Sequence, residues 1–169
     1  MSSELVPAGQ GPMMLADPVA YIAQASKLAT ALAGVINERH LFAVLDGRKY
    51  VLAEGWTLLA NMLGVHPVVA WSRPCVDHEG ASGWEARVEI LASSGAMIGA
   101  GEAMCSRSEV LWGGGTTSRG KVVPPRDDYA LRAMAQTRAV SRGLRNPLGF
   151  VVKLAGYEAT PAEEMPSDG

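Results

Sequence analysis

The stretch WEARVEILASSGAMIGAGEAMCSR, residues 84–107, decides the fold. Trp84, Ala86, Val88 and Ile90 alternate with Glu85, Arg87 and Glu89. A period of two puts apolar side chains on one face of a strand and charges on the other. Ser93-Ser94-Gly95 supplies a turn, and Ala96–Arg107 reads as a second strand. Alternation this clean belongs to an antiparallel sheet with one wet face. Val65–Arg73, upstream, adds a third strand, so a three-stranded meander is expected.

Working back from the meander, Trp56, Leu59 and Leu63 fall on one face of a short helix ended by Gly64. That helix is too small to stand alone and must pack on the sheet. Before it, Leu41–Leu45 and Arg48–Leu52 flank Asp46-Gly47. Asp-Gly between two β-prone runs signals a two-residue hairpin, because both turn positions need positive φ. Asp17-Pro18 marks a helix start, with Ile22, Ala25, Ala29, Leu32 and Ile36 at helical spacing over about 18–37. Residues 1–16 read as a flexible arm.

Downstream, residues 113–126 are rich in Gly, Ser, Thr and Pro and read as a mobile loop. A helix then starts at Asp127-Asp128, acids that suit a helix N-terminus. Ala130, Ala133, Thr137, Val140 and Leu144 form one seam of small residues for close packing on the sheet. Arg138, Arg142 and Arg145 form a stripe on the opposite side, with no interleaved acid on that face. Pro147 and Gly149 are expected to end the helix, and Phe150–Leu154 to return as a short strand or packed arm. The expected fold is α+β: an antiparallel β-β-β-α core preceded by a helix, a β-hairpin and a short helix. It occupies residues 17–157 as one domain, followed by an acidic disordered tail, 158–169.

Charge is distributed unevenly. The 169 residues carry a net −2. From Arg119 to Lys153 eight basic residues face only two acids, a net +6, so the remainder nets −8. Positive charge gathered in one segment suggests a polyanionic partner, and nucleic acid is the commonest. Arginine forms bidentate contacts with phosphate and stacks on bases. Trp112 and Tyr50 are the aromatics expected to be exposed for stacking, whereas Trp56 and Trp84 read as core.

Other chemistries find little support. Gly115 to Lys121 fits GxxxxGK, but Val122 replaces the magnesium-holding hydroxyl and Pro124-Pro125 blocks the required helix. Cys75 and His78 have C-x2-H spacing without a second close pair, so no metal is expected. Both cysteines, Cys75 and Cys105, read as buried reduced thiols. No catalytic constellation stands out, and no cofactor is expected. No apolar run approaches the roughly 20 residues needed to span a membrane. No signal peptide is read at the N-terminus, so a cytoplasmic location is the expectation.

The segment Asp127-Asp-Tyr-Ala-Leu-Arg-Ala-Met-Ala-Gln-Thr-Arg-Ala-Val-Ser-Arg-Gly-Leu-Arg145, following a meander, resembles the basic helix of single-strand annealing proteins. These are the phage recombinases of the Erf, RecT and Redβ types and the eukaryotic Rad-type annealing mediator. Tyr50 to Gly64 is similar to the segment entering their core, and the likeness covers residues 18–150. The resemblance implies ATP-independent annealing of complementary strands by a homo-oligomeric ring or filament. It places single-stranded DNA in a basic groove between the core helix and the hairpin. Carried onto this chain, Arg138, Arg142 and Arg145 line the groove floor, with Arg132 on another face. Arg48 and Lys49, Arg107, and Arg119, Lys121 and Arg126 contribute from the sides. The net charge departs from a typical DNA-binding protein, and the acidic tail is expected to compete with DNA or to recruit a single-strand-binding protein or exonuclease.

A second reading is a structural or assembly protein, such as a bacteriophage component, whose Arg stripe docks on an acidic patch like a neighbour's Glu158–Glu164 segment. A third is a small-ligand enzyme. Arg138, Arg142 and Arg145 separate the readings: required for DNA, for self-assembly, or for neither.

Overall fold

The computed structural model describes residues 17–165, so the expected flexible arm 1–16 and the end of the expected acidic tail, 166–169, lie outside the described residues. The first helix, α1 (Pro18–Arg39), is capped by Asp17, whose carboxylate accepts the amides of Val19 and Ala20. Ala25, Ala29, Leu32 and Ile36 are buried as their spacing predicts. Ile22 is exposed, and its neighbour Tyr21 turns inward to meet the Phe150 ring. Contrary to the expectation that no run is long and apolar enough to span a membrane, α1 meets that requirement by length and composition: 22 residues, mean hydropathy 1.4. Four of its side chains nonetheless belong to the protein's own core.

The hairpin pairs β1 (Phe42–Leu45) with β2 (Arg48–Val51). Asp46 (φ 49°) and Gly47 (φ 73°) both adopt the left-handed conformation that this two-residue turn requires. The short helix α2 (Ala53–Met62) buries Trp56, Leu59 and Ala60 completely, while Leu63 falls just past its end and is exposed.

The meander consists of β3 (His66–Val76), β4 (Ser82–Leu91) and β5 (Met97–Ser106), antiparallel in the order β3-β4-β5. Ala86, Val88 and Ile90 are fully buried, and the alternate residues form a charged ladder on the other face. Arg73 pairs with Glu85 at 2.6 Å and Arg87 with Glu102 at 2.7 Å. The edge strand β3 carries Pro67 and Pro74 and a register shift between Val69 and Trp71. Proline is tolerated there because an edge strand has amides that need no ladder partner.

The long helix α4 (Asp128–Leu154) backs the sheet and corrects two expectations. It does not stop at Pro147. Loss of one internal hydrogen bond at proline costs about 3 kcal/mol, but Leu148, Val151 and Val152 beyond it are buried. Each such side chain contributes about 1.5–3 kcal/mol, so continuing the helix wins over a strand at 150–154. Its tightest packing also lies elsewhere than expected. Leu131, Ala135, Ala139 and Gly143, every fourth residue, are buried against the sheet. A methyl group on Gly101 of β5 would sit 2.6 Å from Ala139 O and closer still to Gly143 N, so helix and strand meet backbone to backbone. In the expected seam only Leu144 is fully buried; Thr137 and Val140 face α1 and α2 across a shallow groove.

The expected mobile loop, 113–126, and the residues just before it are more regular than that expectation. They hold a one-turn helix, α3 (Val110–Gly113), and a two-stranded clip of β6 (Gly115–Thr116) and β7 (Val122–Val123). Trp112, expected to be exposed, is partly buried against the core, and Tyr50 is buried.

The chain after α4 forms a strap rather than a disordered tail across its described part. Tyr157 is buried against Phe42, and Glu158 N–H donates to Lys49 O beside β2 at 2.8 Å. Pro161 is fully buried, and a 3-10 turn follows at Ala162–Glu164. Apolar anchors at Tyr157 and Pro161 supply the burial that a purely acidic segment would lack.

Candidate nucleic-acid interface

The three arginines of the stripe share a flank of α4 that overhangs β5. Arg138 donates to Met104 O at 2.9 Å and Arg142 to Glu102 O at 3.1 Å. They are also paired with acids, contrary to the expectation of an uncompensated stripe. Arg138 grips Glu109 with two bonds, at 2.8 and 2.6 Å. Arg142 reaches both oxygens of Glu164, at 3.0 and 3.4 Å, and Arg145 reaches the same carboxylate at 3.5 Å. The pairing escapes an i,i+4 search because both acids lie at least 19 residues away along the chain.

The arginines differ in access. The Arg138 side chain is 16% exposed, against 50% for Arg142 and 42% for Arg145. Arg138 is therefore a structural cation, while Arg142 and Arg145 present guanidinium edges to solvent. Burial pushes the Glu109 carboxyl up, but the hydrogen bonds and charge of Arg138 outweigh it and leave Glu109 below its ordinary value. Cys105 lies beside this pair; burial first, then the Glu109 charge, pushes its thiol up to about 12. Cys105 is buried and Cys75 half-buried, and both are free thiols.

Arg132 lies on the other flank, over β3. Its Nε donates to Ser72 Oγ at 2.9 Å, and its guanidinium stands 5.3 Å from the Trp84 ring. It does not join the other three. Arg107 is held by Asp128 at 2.6 Å and by Arg126 O at 3.1 Å, which fixes the start of α4. Arg126, Lys121 and Arg119 are exposed on and around the β6–β7 clip. On the hairpin, Lys49 Nζ lies 4.8 Å from the Phe42 ring centre and Arg48 is exposed.

Glu109 escaped the sequence reading, and Glu163 and Glu164 entered it only within an acidic segment, 158–164, expected to dock on a neighbour's stripe, whereas Glu164 docks on its own chain's Arg142 and Arg145. Glu109 had a visible signal: Ser106-Arg-Ser-Glu109 is a capping-box spacing, and Ser106 N–H donates to Glu109 Oε1 at 3.2 Å. Glu163 accepts Ala53 N–H at 2.7 Å, at the start of α2, and Ser141 Oγ at 3.3 Å. Glu164 closes the strap on Arg142 and Arg145. Nothing in local spacing announces these last two.

A separate polar knot joins the meander to the chain after it. Asp77 Oδ2 accepts the Ser106 and Ser108 hydroxyls, each at 2.6 Å, and Oδ1 accepts the Glu79 and Ala81 amides. The two hydroxyls hold this carboxyl well below its usual range. With four donors and no acceptor role to spare, Asp77 is a structural anion. Among the described residues no three His, Cys, Asp or Glu side chains gather in a way that would hold a metal ion.

What the site can do is bind anions. It offers two accessible guanidiniums on one helix flank and a basic hairpin at the far end of the strap. Compared with protein-family models, with curated proteins and with solved structures, the chain gives no match.

Proposed function

We propose that this chain binds single-stranded DNA along α4 and anneals complementary strands without ATP, as a homo-oligomer serving recombination or repair. One observation carries the reading: Arg142 and Arg145 converge on a single carboxylate, an arrangement that a backbone phosphate also satisfies. The element order supports it, since a meander followed by one long helix is the arrangement of the annealing proteins this chain resembles. In this mechanism phosphates are neutralised and counterions released, leaving bases unpaired for a second strand to test. Arg142 and Arg145 bind backbone, and Arg48, Lys49, Arg119, Lys121 and Arg126 add charge at the margins. Arg138 and Arg107 hold the scaffold.

The test is anisotropy of a labelled single-stranded oligonucleotide against salt, with wild type and Arg142→Ala/Arg145→Ala. Binding whose salt slope falls by about 0.7 in the double variant, the value for loss of one phosphate contact on a single strand, supports the reading. Absence of binding at low salt, by a folded protein, discards it.

The alternative is an assembly protein. It is favoured by the Arg–Glu164 contact itself, which is the kind of docking expected with a neighbour's strap. It is also favoured by the apolar outer face of α1, where Val19 and Ile22 are exposed. Salt-resistant oligomers without DNA affinity would select it.

A further inference from the structure

The strap links the two basic features of the molecule. It leaves α4, runs beside β2 at Glu158, turns under Pro161 and ends on the helix flank at Glu164. At the hairpin end Glu158 pairs with Lys153 at 2.8 Å and lies close enough to Arg48 to feel its charge. At the helix end Glu164 is 13% exposed beneath the two half-exposed guanidiniums. The strap's acids thus meet the hairpin and the helix, the two walls between which the proposed DNA path runs.

We infer that Glu164 is an internal occupant of a phosphate-binding site formed by Arg142 and Arg145, and that the phosphodiester backbone of single-stranded nucleic acid binds by displacing it. The inference rests on the annealing reading and adds regulation to it. Three features support displacement rather than a permanent lock. Of the contacts of Glu164 only the 3.0 Å bond from Arg142 Nε is of ordinary length; the other two, at 3.4 and 3.5 Å, are long, unlike the 2.6–2.8 Å grip of Glu109 on Arg138. The strap's apolar anchors, Tyr157 and Pro161, lie upstream, so Glu164 can swing away without unpacking them. Glu163, its neighbour, is tied separately to α2 and Ser141, and the Glu164 and Met165 amides donate to Pro161 O and Ala162 O, so the turn stays in place while the Glu164 side chain rotates out. A carboxylate and a phosphodiester both carry one negative charge, so exchange conserves the local charge balance while adding the further contacts that a polymer makes.

The experiment compares wild type with Glu164→Gln and Glu164→Ala on a labelled oligothymidine at low and moderate salt. Circular dichroism and thermal melting check that each variant is folded. Two variants guard against one that fails to fold. The expected result is an affinity gain of about three- to tenfold in both, matching loss of a surface-type competitor, and the gain shrinks as salt rises. Equal affinity of wild type and variants, with clear binding by all, overturns the competition and leaves the annealing reading standing. No binding by any folded form overturns both.

Discussion

Arg138 and Glu109 meet end to end: Nη1 donates to Oε1 at 2.8 Å and Nη2 to Oε2 at 2.6 Å, with a third bond from Nη1 to Met104 O. The pair ties α4 to the end of β5 and to the segment leading into α3. Removing one partner strands the other charge in a largely closed site. Arg138→Ala is expected to cost about 2–4 kcal/mol of unfolding free energy, measured by urea denaturation. Arg145→Ala, whose contact is longer and more exposed, is expected to cost less than about 1 kcal/mol. A loss of DNA binding in an Arg138 variant would thus reflect folding first.

Asp77 sets the acid limb of stability. Its folded-state value lies below the ordinary 3.8, so its contribution is fully present above that value and is lost as pH falls below about 4. Glu109, also lowered, adds to the same limb from its ordinary 4.5 downward. Asp77→Asn is expected to flatten the fall in melting temperature between pH 4 and pH 2, on the linkage argument. An unchanged slope would remove Asp77 from this role.

Glu163 behaves in the opposite sense. Burial raises its carboxyl above 4.5, so folding favours the protonated form; this contribution is present at low pH and lost as pH rises through the raised value. Glutamine keeps an oxygen for Ala53 N–H and removes the buried charge. Glu163→Gln is therefore expected to be neutral or stabilising by up to about 1 kcal/mol at pH 7 and neutral at pH 4. Glu163→Ala should destabilise by about 1–2 kcal/mol, since it removes the partner of an α2 first-turn amide. Denaturant curves at both pH values check the pair.

Gly101 is where α4 touches the sheet most closely. Gly101→Ala is expected to cost about 2–3 kcal/mol or more, because its neighbours are backbone atoms that cannot rotate aside. Gly34→Ala, in α1 with nothing within 4 Å of the added carbon, is expected to stabilise by about 0.5–1 kcal/mol. Melting temperatures moving in opposite directions would bear out both.

The elements set by short-range chemistry were legible. Asp46-Gly47 announced its hairpin, and the alternation of Trp84–Ile90 announced both the sheet and its inner face. The face of α4 was not. Its first four turns carry Ala130, Ala133, Ala135 and Ala139, so two seams of small residues compete on equal terms. What decides between them is Gly143 opposite Gly101, a pairing 42 positions apart that periodicity cannot see. The same distance in sequence hid the acids. Counting charge by segment put +6 around α4, yet Glu109 and Glu164 fold back onto it from either side. Pro147 misled for a different reason: a local penalty was overruled by the burial of Leu148, Val151 and Val152.

The sheet is finished at both margins. On one side Pro67, Pro74 and the shifted register of β3 withhold the regular row of amides that a fourth strand would need. On the other, the guanidiniums of Arg138 and Arg142 already occupy carbonyls of β5. Copies of this protein that come together at this sheet would therefore meet through side chains rather than by pairing strands across β3 or β5. Such a contact would be a fit of side-chain shapes and charges that a single substitution can undo, not a continuous β-ribbon.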